Sequence, residues 1–122
     1  MVSSEWTAPN TFFKGFDPAD VANKKYGQSI YFWNWTEQKM TKKVELGSEG
    51  MLPLEIRFQH NPKSTHGYVG AALSSSIWHF FKSDEDWKVE KVIQVEPVTI
   101  ESLSNPVPGL ITGNYFFFIY SR

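Results

Sequence analysis

The sequence predicts an all-β protein assembled from four-stranded antiparallel blades, and three observations carry that expectation. Large rings and chain breakers are both frequent: 16% of residues are aromatic, and 8 Gly and 7 Pro punctuate the chain. Such a mixture favours short strands over helices. Four strand-like runs follow one another between Met51 and Val95 with only short turns between them, the pattern of an antiparallel meander. The third observation is an internal repeat. SIYFWNW at Ser29 is echoed by SIWHFF at Ser76, 47 residues on, and KVE at Lys43 recurs at Lys88, 45 residues on. A looser echo relates LPLE near Pro53 to VPGLIT near Pro108, 55 residues on. Four strands per ~40–50 residues is the spacing of propeller blades, so the chain holds about two and a half of them.

Each element has a local reason. Met1–Trp6 is β-compatible until TAPN breaks it. The one convincing helical stretch lies within Gly15–Gly27, where Asp17 caps, Pro18 fits the first helical position and Asp20 suits the positive end of the dipole. Ser29–Trp35 is too aromatic and too short for a surface helix and reads as a strand; Thr41–Leu46 follows as another, closed by GSEG. Met51–His60 is a strand with Pro53 near its start, where a missing N–H is tolerated. A turn in Asn61–Gly67, a strand in Tyr68–Leu73, a serine connection and a strand in Ser76–Phe81 come next. A charged turn in Lys82–Asp86 and a strand in Trp87–Val95 complete the meander. The expected division is therefore 1–50, three strands of one blade with a helical insertion; 51–97, a complete blade; 98–112, a linker opening the next; and 113–122, a tail of different character.

Composition excludes several classes of function. The 122 residues suffice for one domain, burying roughly two thirds of the unfolded surface. No cysteine is present, which removes disulfides, thiolate zinc ligands and a thiol nucleophile. Twelve basic against 13 acidic residues leave no electrostatic footprint for nucleic acid. No run approaches the ~20 apolar residues of a membrane span, and no signal-peptide pattern opens the chain, so a cytosolic protein is expected. The sequon Asn34-Trp35-Thr36 is then expected to stay unmodified. Two blades alone would expose a large apolar face, so the expected partners are the remaining blades of a larger propeller.

At LPLEIRFQHNP (Leu52–Pro62), GYVGAALSS (Gly67–Ser75), WKVEKVIQV and PGLIT, the chain resembles the selenium-binding protein family, whose members include the methanethiol oxidases. SSEWTAPN, GFDPADV and YGQSIYFWNW fit the same family in the same order. The resemblance extends from Met1 to about Thr112 and corresponds to a middle portion of a family chain. It implies a seven-bladed β-propeller, located in the cytosol or also in the nucleus. It further implies oxidation of a small thiol substrate, methanethiol, with oxygen and water to formaldehyde, hydrogen sulfide and hydrogen peroxide. Copper is implied by some members, and by others selenium bound through a cysteine of the N-terminal part. Ala71 stands where some relatives have a cysteine. The family also implies an alternative role as a non-catalytic scaffold for selenium binding and intracellular protein transport, with peripheral membrane association. A third class, an independent aromatic-rich β-sandwich that binds carbohydrate, stays open. GNYFFFIYSR (Gly113–Arg122) departs from the family pattern, so a truncated gene product, an alternative exon or a translated intron is expected, inactive alone.

Glu55 and His60 are the candidate metal ligands. In an extended strand Leu54, Ile56 and Phe58 share one face and Glu55, Arg57 and Gln59 the other. The first strand of a blade borders the central channel, and imidazole and carboxylate suit copper. The competing reading pairs Glu55 with Arg57 and lets His60 cap the HNP turn. His66 reads as a solvated turn residue in STHG, and His79 as packed between strands or turned to solvent. Tyr31, Trp33 and Trp35 share a face and are expected to pack in the core rather than form a stacking platform. The glycines of GYVGAAL suit close sheet packing. No Ser-His-Asp order, phosphate loop or carboxylate pair identifies catalytic residues.

Overall fold

Seven strands make two antiparallel sheets in the computed structural model, which describes residues 1–96. The expected segments 98–112 and 113–122 lie outside the described residues. The first sheet orders β1 (Val2–Glu5), β2 (Ser29–Asn34) and β3 (Lys39–Glu45). The second orders β4 (Pro53–Phe58), β5 (His66–Ala71), β6 (Ser76–Ser83) and β7 (Asp86–Gln94), every strand beside its sequence neighbour. Strong local signals set the joins. Asp84 and Glu85 form the two-residue β6–β7 loop, both at positive φ (50° and 63°), as a hairpin turn of matching twist requires.

The long β1–β2 connection carries two single-turn helices. α2 (Pro18–Ala22) starts where the sequence places it, with Asp17 Oδ1 accepting from Ala19 N–H at 2.9 Å. α1 (Thr11–Lys14) is an addition to the expected elements. Its hydroxyl anchor is Thr11, whose Oγ1 donates to Ala8 O (2.9 Å) and accepts from Ala8 N–H (2.8 Å).

The sheets pack face to face. Ile30 and Phe32 on β2, with Leu46, meet Val69 on β5 and Phe80 on β6 in one buried cluster, flanked by Ile56, Trp78, Trp87 and Val89. Phe32 lies edge-on to Phe80 (centroids 5.8 Å apart) and stacks on Trp87 (4.7 Å). Across the same seam Lys42 Nζ donates to Asp86 Oδ1 (2.8 Å), Asp86 Oδ2 (2.9 Å) and Trp87 O (2.7 Å).

Two facing assignments are corrected. Leu54 does not share the inner face with Ile56: pairing passes from Pro53↔Ala71 to Glu55↔Gly70, so Leu54 is bulged out and exposed. Tyr31 and Trp33 are only half-buried and Trp35 is 70% exposed. The core positions of β2 are the alternating Ile30 and Phe32. Trp33 donates its indole N–H to Ser3 Oγ (2.8 Å), and Tyr31 its hydroxyl to Glu5 Oε2 (2.9 Å).

The 47-residue repeat is also a repeat of orientation. Ile30 and Phe32 face the second sheet, whereas their counterparts Ile77 and His79 lie on the face of β6 turned away from the first. Trp78 and Phe80, the counterparts of Tyr31 and Trp33, face the first sheet. Stacking by one repeated operation is what relates consecutive blades.

Candidate functional site

The polar side of β4 carries the candidate ligands. Arg57 Nη2 donates to Glu55 Oε1 at 2.6 Å, so the internal pairing considered for these two residues is present. With Arg57 63% exposed, that pair contributes little to stability. His60 lies exposed beyond the end of β4. The turn after it is capped by Asn61: its Oδ1 accepts from Lys63 N–H (3.0 Å) and its carbonyl from Ser64 N–H (2.8 Å). Among the described residues no three His, Asp or Glu side chains converge in a way that would hold a metal ion. One imidazole and one carboxylate fall short of a copper coordination sphere, so the described residues alone do not fit copper. Selenium bound through cysteine does not fit either, because the chain has none.

His66 is corrected from turn to strand: it opens β5, opposite Phe81. Its Nδ1 lies 2.9 Å from His79 Nε2, and His79 Nδ1 lies 3.1 Å from Glu90 Oε1. The side chain of His79 is only 14% exposed, with the rings of Tyr68 (5.0 Å) and Phe81 (4.8 Å) beside it. Sequence reasoning missed this row because it depends on register. His79 stands opposite Tyr68 on β5 and Glu90 on β7, which brings His66 to it on the diagonal.

A cleft of about 320 Å³ opens at one end of the seam, lined by Trp33, Thr41, Lys42, Lys82, Asp86 and Trp87. All three ammonium hydrogens of Lys42 are engaged there, so it offers an incoming anion no free donor. Hydrogen bonding to Lys42 holds the Asp86 carboxyl below the usual range. At the far end of β3, Lys43 and then the Ser29 hydroxyl do the same for Glu45. Among the described residues no helix is long and apolar enough to cross a membrane.

Known proteins match this architecture over most of its length. A methanethiol oxidase of Xenopus laevis is 49% identical over 114 residues, 92% of this chain and 24% of that protein. The methanethiol oxidase of Homo sapiens is 47% identical over the same shares. Selenium-binding protein 2 of Arabidopsis thaliana is 44% identical over 128 residues, 98% of this chain and 26% of its own. The chain thus spans about a quarter of the length of these curated relatives. The crystal structure of a hypothetical selenium-binding protein from Sulfolobus tokodaii superposes with a TM-score of 0.72 at 35% identity, covering 82% of this chain and 23% of that one. The antiparallel sheets of three and four strands are accordingly propeller blades. The family model described as 56kDa selenium binding protein (SBP56) matches residues 1–116, and the chain belongs to that family.

Proposed function

We propose that the chain is a portion of a methanethiol-oxidase-type protein whose complete propeller oxidises methanethiol with oxygen and water to formaldehyde, hydrogen sulfide and hydrogen peroxide. The observation that carries this reading is the 47–49% identity over 92% of the chain to proteins named methanethiol oxidase. In the complete protein β4 borders the central channel, and His60 and Glu55 contribute to a site completed by groups outside this chain. Arg57 fixes the Glu55 carboxylate through its 2.6 Å hydrogen bond and balances its charge. Alone, the 122-residue chain turns over no thiol, since it has no cysteine and its described residues include no group of three side chains placed to hold a metal ion.

Hydrogen sulfide release from methanethiol tests both halves of the proposal. The chain by itself is expected to release none. A full-length relative with alanine at the position equivalent to His60 is expected to lose copper and at least about tenfold in turnover. Unchanged copper content and turnover in that variant would remove His60 from the site. Turnover by the isolated chain would overturn the claim that it is incomplete.

A further inference from the structure

On the face of the second sheet turned away from the first, Glu90, His79 and His66 stand in one hydrogen-bonded row. Glu90 Oε1 is 3.1 Å from His79 Nδ1, and His79 Nε2 is 2.9 Å from His66 Nδ1. The imidazole planes differ by 7° and their centroids are 5.1 Å apart. The nitrogen gap takes up most of the centroid separation, so the rings lie edge to edge in nearly one plane. Each nitrogen therefore points along its ring plane at the other, which is the direction of a hydrogen bond.

This arrangement fixes where the protons sit. An ionised carboxylate only accepts, so His79 carries its hydrogen on Nδ1. Nε2 of the neutral ring is then an acceptor, and only an N–H on Nδ1 of His66 can fill it. His66, whose ring is exposed, is left with a lone pair on Nε2. Around the row, Tyr68 and Arg57 face each other across β5 and β4, and Arg57 is held by Glu55. Lys88, opposite Phe81 on β7, lies 3.5 Å from Asp86. Glu90 is the charged group bonded to the row itself.

We infer that Glu90, His79 and His66 form a tautomer-locked proton relay that latches β5, β6 and β7 together and opens in acid. A first proton bonds to Nε2 of His66, the bridging proton passes from His66 Nδ1 to His79 Nε2, and the positive charge comes to rest beside Glu90. The row stays bonded. A second proton puts an N–H on both facing nitrogens and breaks the bridge. The position matters because His79 is the 47-residue counterpart of Phe32, whose ring is a fixed contact between the sheets. The relay rests on this face of the sheet alone and is independent of the oxidase reading.

Imidazole ¹H–¹⁵N correlation spectra of the ¹⁵N-labelled chain test it. With both rings neutral, His66 and His79 are each expected to carry their hydrogen on Nδ1. Glu90→Ala is expected to release both rings to mixed tautomers. His66→Ala is expected to leave His79 locked, because Glu90 remains. An Nε2–H on either ring of the native chain, or a His66 spectrum indifferent to Glu90→Ala, would overturn the relay. Once acidification has put a second N–H on both rings, the magnetisation contact between them is expected to disappear. Its survival with both rings fully protonated would overturn the latch.

Discussion

The two faces of the second sheet use the same four strands and treat water in opposite ways. Toward the first sheet, Val69 and Phe80 are fully buried, with Ile56, Trp78 and Val89 closing around Phe32. On the other side Ile77 is buried against Tyr68 and Ile93, but the row beyond it is His66, His79 and Glu90. Phe32 and His79 are equivalent by the repeat, and both stand on the middle stretch of a strand flanked on either side. Equivalent position therefore does not mean equivalent contribution: one residue is held by area removed from water, the other by directed hydrogen bonds.

The matched pair is the strongest way to break that contrast. Phe32→Ala removes a fully buried ring and its contacts with Phe80 and Trp87, and is expected to cost about 3–5 kcal/mol in urea unfolding. His79→Ala removes two hydrogen bonds at a partly exposed site and is expected to cost about 1 kcal/mol. Equal losses would erase the distinction between the faces. Gly67→Ala sharpens it from the backbone side. A Cβ there would lie 2.2 Å from Phe80 Cζ and 2.8 Å from the Arg57 carbonyl, so the inner face has no room for a methyl group. A loss of about 1–3 kcal/mol, read from the midpoint of thermal unfolding, is expected.

The smallest effect is electrostatic. Asp86 and Glu45 have carboxyls held below their ordinary range, chiefly by hydrogen bonds from Lys42 and Lys43. A depressed native value stabilises the fold above the unfolded carboxylate range, and that contribution disappears as pH falls through the native values. Both groups are exposed, so the change is small. Urea midpoints are expected to fall less between about pH 5 and about pH 2 in Asp86→Asn than in the native chain. Parallel curves would show that the seam does not depend on this ion pair.

Much of the fold was legible because it depends on nearest neighbours in sequence. Asp17-Pro18 announces α2, the DED turn marks the β6–β7 hairpin, and the echo of Ser29 in Ser76 reports two stacked units. What failed depended on register. The bulge at Leu54 shifts one residue out of an alternation that looks regular on paper. His66 joins β5 through its pairing with Phe81, a partner 15 residues away that no local pattern names. Tyr31, Trp33 and Trp35 are expected in the core because a blade buries both faces against its neighbours, but among the described residues only the opposite face of β2, with Ile30 and Phe32, meets a second sheet. The independent sandwich class yields to the family match, which places the same packed sheets within a propeller. For the candidate site, the Glu55–Arg57 pair was readable from i, i+2 spacing on one strand. The histidine row was not.

The saturated ammonium of Lys42 has a consequence for covalent labelling. Acylation would replace the ammonium shared by Asp86 Oδ1, Asp86 Oδ2 and Trp87 O with a neutral amide. That amide has a single N–H and cannot hold all three acceptors, so a label on Lys42 keeps the seam from closing as before.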